Sequence, residues 1–278
     1  MITAAATLIV LSALVQQFDR ELEATPSHSW SLQSSPAYQK LTAIHAQLHG
    51  HRGTPAKFEP GSGASGQING GEFPKGTWAI TYDDGPHNGH TEKIMSVLTA
   101  FNIKATFFWV AQNVVQYRSV VAAAEQAGHS LQNHSYTHAD LVKTTDLALG
   151  YEVSVSNQIM KEHYQSHPGF FRLPYGSGGS NSRVRKKVAD EKLVSVLWNV
   201  DSLDWADKNA ASVAERVRKQ MVKLGRGVVL FHDIQGHTAD ASSLLLKAVK
   251  NLPYRYVTIP AIMDQLNGKK RVAQSTPL

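Results

Sequence analysis

The stretch "AITYDDGPHNGH", residues 79–90, places two aspartates side by side where an apolar, β-branched run meets a Gly-Pro pair. The run that precedes Asp83 has the composition of a buried strand, and Gly85 with Pro86 indicates a turn directly after it. Two adjacent carboxylates repel each other, and a buried carboxylate is costly without a compensating partner. The pair therefore either lies in solvent or faces a positive group from another part of the chain.

A regular alternation of strand-like and helix-like segments extends from this stretch towards the C-terminus. Short β-branched runs of the kind found in buried parallel strands occur at 77–83, 104–110, 129–133, 170–173, 194–200, 227–231 and 255–259. Amphipathic helical patterns separate them, for example the one at 212–225. Seven β-then-α units predict an α/β fold whose parallel sheet closes into a barrel, with an open doubly wound sheet as the alternative.

The composition limits the chemistry that is available. The 278 residues are 42% hydrophobic, which suffices for a sizeable core, and they contain no cysteine. Disulfides, thiolate metal sites and a cysteine nucleophile are therefore excluded, and a metal would need histidine and carboxylate ligands. The net charge of +6 would suit a polyanionic partner such as an acidic wall polymer, but charge alone more simply indicates a soluble basic surface. Nucleic acid is not predicted as a partner, because the basic residues are spread out and form no known binding signature.

The N-terminal region carries weaker signals. Residues 2–18 are uncharged and too short to span a bilayer, so they fit either a signal-peptide core or a terminal amphipathic helix. We interpret His45, His49 and His51 as part of a solvated helix end, because no acidic partner lies near them in the sequence. The Gly- and Ser-rich residues 59–76 predict a linker or long loop.

Polar side chains gather at the carboxyl ends of five of the predicted strands. In a parallel α/β barrel these ends lie together and hold the active site. In chain order the residues are Asp83 and Asp84, His134 and His138, Arg172, then Asp201, Asp204 and Trp205, and finally Leu230, His232 and Asp233.

Three of these residues predict a metal site. His134 and His138 are four residues apart, so on a helical turn they would share a face and could bind one cation. Asp84 would complete a His₂-Asp set, the ligand type of open catalytic zinc sites, although cobalt, nickel or manganese would also fit. Such a cation would neutralise the aspartate pair and leave Asp83 to act as a general base.

The remaining polar residues fit supporting roles. Arg172 could pair with Asp83 and keep it ionised, and His232 suits a general acid because its pKa lies near the working pH. Either Asp201 or Asp204 could orient the His232 imidazole, and Trp205 offers a flat face to a sugar ring. The sequence has no G-x-S-x-G turn and no phosphate-binding loop, so acyl-enzyme and P-loop chemistry lack their parts.

Five motifs in this order, TYDDGP, HSYTH, RLPYG, DSLDW and LFH, resemble those of the polysaccharide deacetylases, the NodB homology domain of carbohydrate esterase family 4. The resemblance covers residues 74–267 and implies a distorted (β/α)7 barrel, in agreement with the seven units counted above. It predicts a helical extension and linker over 1–73, a deacetylase domain over 74–267 and a C-terminal tail over 268–278.

The resemblance also implies a role for each residue of the motifs. In this family the base, the acid and their orienting partners are catalytic, three residues bind the metal, and others contact the substrate or its oxyanion. Carried over, the catalytic residues are Asp83, His232, Arg172 and Asp204, the metal ligands are Asp84, His134 and His138, and the substrate-binding residues are Pro174, Tyr175 through its backbone N–H, Trp205 and Leu230.

Two departures from the family pattern concern packing and substrate. Tyr82 stands where the family usually has Phe, so its hydroxyl needs a partner. Gln235 stands where many peptidoglycan-type relatives have a second histidine, and His237 follows later. The second departure leaves the substrate subclass open.

The sequence therefore predicts a divalent-metal-dependent deacetylase, with zinc as the first choice. It would act on N-acetylglucosamine in a polysaccharide, with peptidoglycan first and chitin-type oligosaccharide as the alternative. A binding module that has lost turnover would lack at least one site residue, and none is missing. A hydrolase for a small cyclic amide is a further alternative. We expect export to the cell wall, no transmembrane span and no nucleic-acid partner, and the oligomeric state stays open.

Overall fold

A computed structural model of the protein describes residues 67–165 and 168–267. In this part of the chain the strands are β1 Thr77–Asp83, β2 Thr106–Trp109, β3 Ser130–Asn133, β4 Phe170–Phe171, β5 Val194–Ser195, β6 Val200–Asp201, β7 Gly227–His232 and β8 Arg255–Tyr256. The α-helices are α1 His90–Ala100, α2 Ala111–Gln116, α3 Arg118–Gln126, α4 Asp146–Gly150, α5 Ser156–His163, α6 Ser182–Asp190, α7 Ala210–Leu224, α8 Thr238–Val249 and α9 Ile259–Leu266. A π-helix, Tyr151–Val155, joins α4 to α5, and a 3₁₀ turn, Pro174–Gly176, follows β4.

The strands form one parallel sheet in the order β5-β4-β3-β2-β1-β7-β6, and β8 pairs with the start of β1. Its two end strands, β5 and β6, follow each other in the chain. The sheet therefore curls towards closure around β1, with the helices in the connections. This arrangement confirms the predicted α/β fold and its distorted barrel. The predicted N-terminal helical extension lies outside the described residues.

The predicted strand 194–200 is wrong as a single element. Its first part, β5, pairs with β4 at one end of the sheet, whereas its last part, β6, pairs with β7 at the other end. Residues 196–199 must therefore cross between the two ends, so they cannot continue either ladder. Val196 instead forms an isolated bridge with Ile68. The predicted strand 170–173 is also shortened to β4, because the chain turns into the 3₁₀ segment at Pro174.

The core is densest around β1, whose seven residues are all buried. Sheet neighbours on both sides and helices over the faces explain why this strand is a nearly continuous apolar run. Inside it, the Tyr82 ring stacks on Phe107 at 5.2 Å and on Phe231 at 5.7 Å between ring centroids. The Tyr82 hydroxyl lies 3.0 Å from Ser242 Oγ, which is the partner that its position requires.

The compact part of the chain includes residues that precede the predicted domain start at residue 74. Ile68 and Phe73 are fully buried and pack in a cluster with Phe108 and Val228. The predicted boundaries themselves stay predictions. Residues 2–18, the histidines between 45 and 51, and the tail 268–278 lie outside the described residues. Among the helices of the described ranges, none combines the length and the apolar character needed to cross a bilayer.

Candidate metal and catalytic site

The site begins where β1 ends. Asp83 is the last residue of β1 and is 2% exposed, whereas Asp84 follows at a positive φ of 78° and stays partly exposed. The Asp84 N–H donates to the Phe108 carbonyl of the neighbouring chain segment at 3.2 Å. Glycine is required next, because a Cβ at Gly85 would overlap the carboxylate of Asp233. This turn directs two adjacent carboxylates into different surroundings.

Asp83 faces the positive group that its burial requires. The Arg172 guanidinium is fully buried, and its Nη1 donates to Asp83 Oδ1 at 2.6 Å and to Thr81 Oγ1 at 2.7 Å. Its other nitrogens donate to the carbonyls of Val196 at 3.1 Å and Leu197 at 3.2 Å. Each nitrogen of the guanidinium therefore donates at least one hydrogen bond, and these fix the group that holds Asp83. Its second oxygen, Oδ2, lies 3.7 Å from His134 Nε2.

Asp84 lies with the two predicted histidine ligands. Its Oδ1 is 3.4 Å from His134 Nε2 and 3.2 Å from His138 Nε2, and the three ligand atoms lie within 4.8 Å of one another. Asp84 Oδ1 is buried and accepts no hydrogen bond within the described residues. A buried carboxylate oxygen without a donor, facing two imidazole nitrogens, fits a divalent cation bound between them.

The positions of the protons in this cluster also suit a bound cation. His134 Nδ1 lies 2.8 Å from the Arg172 carbonyl, which can only accept, so Nδ1 carries a proton and Nε2 is the nitrogen that can bind a cation. Burial, together with the neighbouring His134, lowers the pKa of His138 to about 4. Burial alone would raise the pKa of Asp84, but the neighbouring His134, with smaller contributions from His232 and His138, lowers it to about 2. At neutral pH Asp84 is therefore a carboxylate and His138 a neutral imidazole.

The segment between the histidines is a loop and not the helical turn that the four-residue spacing suggested. Ser135 and His138 have positive φ values of 70° and 65°, which a helix does not contain. Two local hydrogen bonds fold it: Ser135 N–H donates to Asn133 Oδ1 at 2.8 Å, and His138 N–H donates to Ser135 Oγ at 3.0 Å. The two imidazole rings still meet, with centroids 4.8 Å apart.

His232 lies beside Asp83 at the end of β7, and the two residues are register partners. Its Nδ1 is 2.7 Å from Asp204 Oδ1, and its backbone N–H donates to Asp204 Oδ2 at 2.8 Å. Thr238 Oγ1 donates to the same Oδ2 at 2.6 Å. Burial lowers the pKa of His232, but the hydrogen bond and charge of Asp204 outweigh it and raise the pKa to about 9. His232 is therefore protonated at neutral pH.

The structure shows which of Asp201 and Asp204 contacts His232, a choice that the sequence alone does not make. Asp204 is fully buried and contacts the imidazole directly, as described above. Asp201 is used elsewhere: its Oδ1 accepts from the Leu203 N–H at 2.9 Å and its Oδ2 from Trp198 Nε1 at 3.2 Å. The partner of His232 is thus Asp204.

The predicted substrate-binding residues divide into exposed and buried ones. The side chains of Tyr175 and Trp205 are 69% and 59% exposed, so neither aromatic ring belongs to the core. Tyr175 has a positive φ of 59° in the 3₁₀ turn, and its ring meets His138 edge-on at 4.5 Å between centroids. Pro174 and Leu230 are buried. Their roles towards substrate stay predictions.

Asp233 also lies at this edge, although its place in the sequence indicates no role for it. Asp233 is fully buried behind the Gly85 turn and accepts from Thr91 Oγ1 at 2.8 Å and from Trp109 Nε1 at 2.9 Å. Burial raises its pKa to about 7. It supports the turn that carries Asp83 and Asp84. An aspartate directly after His232 was the available signal, although its partners come from three other segments.

A parallel barrel with these side chains at its carboxyl edge has the layout of the α/β barrel proteins that hold their sites there. The sequence model of the polysaccharide deacetylase family matches residues 70–194 of this chain. The chain is 31% identical over 209 residues to a peptidoglycan-N-acetylglucosamine deacetylase of Bacillus cereus, which covers 72% of this chain and 74% of that protein. The chain belongs to the polysaccharide deacetylase family.

Two further comparisons agree with this assignment. The chain is 32% identical over 193 residues to the peptidoglycan-N-acetylglucosamine deacetylase PgdA of Listeria monocytogenes, covering 69% of this chain and 39% of that protein. It therefore spans about two fifths of the length of that relative. The solved structure of the peptidoglycan deacetylase PdaC from Bacillus subtilis superposes with a TM-score of 0.62 at 28% identity, covering 70% of this chain and 93% of that one.

Proposed function

We propose that this protein is a metal-dependent deacetylase that hydrolyses the N-acetyl group of N-acetylglucosamine units in cell-wall polysaccharide, most directly peptidoglycan. The observation that carries the proposal is the convergence of three groups at one sheet edge: a carboxylate held by a buried arginine, an Asp-His-His cluster, and a protonated histidine held by a carboxylate. The names of the relatives from Bacillus cereus and Listeria monocytogenes support the choice of substrate.

Asp84, His134 and His138 would hold the divalent cation, with zinc as the first choice and cobalt, nickel or manganese as alternatives. When bound, such a cation polarises a carbonyl oxygen and makes water more acidic.

Asp83 accepts the proton of the attacking water. Arg172 holds Oδ1 at 2.6 Å, so Oδ2 is the oxygen that takes the proton. The water oxygen forms a bond to the acetamide carbon, and the carbonyl electron pair moves to its oxygen. The backbone N–H of Tyr175 would donate to that oxyanion.

His232 supplies the proton that the departing nitrogen needs. Its Nδ1 faces Asp204, so the transferable proton lies on Nε2. As the carbon–nitrogen bond breaks, this proton passes to the amine, and the products are acetate and a glucosamine unit. The raised pKa of His232 keeps the proton available at neutral pH.

The substrate contacts complete the proposal. Trp205 presents an exposed ring of the kind that packs against a sugar face. Leu230 and Pro174 would shape the site for the acetyl methyl group. The net charge of +6 suits an anionic wall polymer, and an exported location follows from the same substrate.

The test is the release of acetate from N-acetylated peptidoglycan and, in parallel, from N-acetyl chito-oligosaccharides. Zinc-loaded protein is compared with chelated protein and with Asp83→Asn, and the deacetylated sugar is identified after acid hydrolysis. We expect release from peptidoglycan, as glucosamine, that needs both metal and Asp83. Faster release from chito-oligosaccharides would move the substrate to chitin. No release from either polymer by protein with stoichiometric metal would contradict the deacetylase and favour a binding module or a small-amide hydrolase.

A further inference from the structure

A buried glutamate that belongs to none of the five motifs contacts the loop between the two histidines. Glu152 is 5% exposed and lies in the π-helix between α4 and α5. Short π-helical segments inside α-helices are often found at functional sites. A buried carboxylate needs several hydrogen-bond donors, so the groups that meet Glu152 show what it does.

Three hydrogen bonds from the histidine loop reach its two oxygens. Glu152 Oε2 accepts from the backbone N–H of Tyr136 at 3.0 Å and of Thr137 at 2.9 Å. Its Oε1 accepts from Thr137 Oγ1 at 2.5 Å. Tyr136 and Thr137 are the residues in the middle of the loop from His134 to His138. The carboxylate therefore fixes the part of the loop that the local hydrogen bonds of Asn133 and Ser135 do not reach.

The loop needs such support because of its backbone. Ser135 and His138 both have positive φ, a region that side chains with a Cβ disfavour and that persists where surrounding contacts impose it. His138 is also the more exposed of the two histidines, with a quarter of its side chain accessible against 3% for His134. Its position therefore depends on the loop backbone more than on packing.

The π-helix meets the loop at other points as well. The ring of Tyr151 packs edge-on against Tyr136 at 4.7 Å between centroids. Directly after the π-helix, Ser156 Oγ lies 3.0 Å from Asn133 Nδ2, and Asn133 in turn accepts from Ser135. A π-helix has one more residue in each hydrogen-bonded turn than an α-helix, so it changes which side chains share a face. Here Tyr151 and Glu152 both contact the histidine loop.

We propose that Glu152 is a positioning residue for the metal cluster. It holds the loop so that His138 Nε2 converges with His134 Nε2 on Asp84 Oδ1. This inference rests on the metal site of the proposed function. It requires the reach of the Glu152 carboxylate and not its charge, because its contacts are backbone N–H groups and one hydroxyl.

Glu191 provides a matched control. It contacts the same helical segment, accepting from Ser154 Oγ on Oε1 and from Asn157 Nδ2 on Oε2 at 3.3 Å. Both of these hydrogen bonds, and its ion pair with Lys187 at 3.7 Å, go to segments other than the histidine loop. A change at Glu191 therefore disturbs the π-helix and α5 through contacts that lie outside the histidine loop.

The experiment measures zinc affinity by competition with a chromophoric chelator, and the cobalt absorption spectrum, for wild type, Glu152→Asp, Glu152→Gln and Glu191→Asp. Glu152→Asp keeps the charge and shortens the reach, whereas Glu152→Gln keeps an oxygen at the same reach without the charge. We expect Glu152→Asp to weaken zinc binding about 10-fold or more and to change the cobalt spectrum. Glu152→Gln and Glu191→Asp should stay within about 3-fold of wild type, well below an effect of that size.

Each other outcome contradicts the inference. Zinc affinity of Glu152→Asp equal to that of wild type or of Glu191→Asp would leave Glu152 with a general structural role. A loss in Glu152→Gln as large as in Glu152→Asp would show that charge and not reach matters. If wild type itself binds no metal, the metal site of the proposed function fails first, and the two failures are thereby distinguished.

Discussion

Two histidine environments lie next to each other at the carboxyl edge of the sheet and differ in charge. On the metal side, formed by Asp84, His134 and His138, burial lowers the pKa of His138 to about 4. On the acid side, formed by His232, Asp204 and Thr238, burial acts in the same direction, but Asp204 raises the pKa of His232 to about 9. Burial is common to both sides, so the partner of the imidazole decides its charge.

The two sides differ in the group that faces the Nδ1 atom of the imidazole. His134 Nδ1 faces the carbonyl of Arg172 at 2.8 Å, whereas His232 Nδ1 faces the carboxylate of Asp204 at 2.7 Å. A neutral carbonyl acceptor fixes which nitrogen carries a proton but adds no negative charge, whereas a carboxylate stabilises the imidazolium. The same residue type is therefore suited to the metal-binding role that we propose on one side and to the proton-donating role that we propose on the other.

The largest effect should come from the metal side. Asp84→Ala removes one ligand and leaves the two histidines without their carboxylate, so we expect metal binding to be lost and acetate release to fall to the level of the metal-stripped wild type. Metal content by elemental analysis and acetate release check this together. Full activity of metal-free Asp84→Ala would break the distinction between the two sides.

Asp83→Asn should have the next largest effect. The amide can still accept a hydrogen bond from Arg172, so the fold and the metal content should stay, but it cannot take a proton. We expect kcat to fall about 10²- to 10⁴-fold, the range of a general base. Measurement of kcat and bound metal on the same sample separates this effect from loss of the cation. A loss of metal in step with activity would assign Asp83 to the metal side.

Asp204→Asn tests the acid side through its pH dependence. Without the carboxylate, the pKa of His232 should fall from about 9 towards its ordinary 6.5 or below. The alkaline limb of the kcat profile should move down with it, and at pH 7.5 only about a tenth of His232 would remain protonated at a pKa of 6.5. The profile, recorded from pH 5 to 10 with zinc-loaded protein, checks this shift.

The raised pKa of His232 also makes the stability of the fold depend on pH. Because the folded-state pKa of His232 is raised, the pair stabilises the fold fully below about pH 6.5, and this contribution is lost as pH rises through about 9. The free energy of unfolding of wild type should therefore exceed that of Asp204→Asn most at pH 6 and least above pH 9. A difference that grew with pH would contradict the charge assigned to His232.

The smallest effect concerns Tyr82, which precedes Asp83 but has its hydroxyl on Ser242 of α8. Tyr82→Phe should lower the free energy of unfolding by about 1 kcal/mol and leave acetate release unchanged. Urea unfolding measures the first and the acetate assay the second. Tyr82→Phe combined with Ser242→Ala should regain part of the loss, since no hydroxyl is then left without its partner. A changed rate would mean that the site extends behind β1.

The sequence predicts the barrel because β-branched runs and amphipathic helices alternate along it, and it predicts the cluster because parallel strands bring their carboxyl ends together. It does not distinguish Asp201 from Asp204, since one ends β6 and the other follows it closely. Only the position of β7 beside β6 determines which of them reaches His232. Glu152 lies in an apolar helical pattern without a motif, and its contacts are backbone groups. Contacts of this kind depend on three-dimensional positions that no spacing encodes.

The most direct test of the account is a metal add-back titration of chelated protein, with acetate release from N-acetylated peptidoglycan measured after each addition of zinc. We predict that activity rises in proportion to bound zinc and saturates at about one zinc per chain, as expected of a single three-ligand site. Activity that persists in the chelated protein, or protein with one bound zinc per chain that releases no acetate, would contradict it.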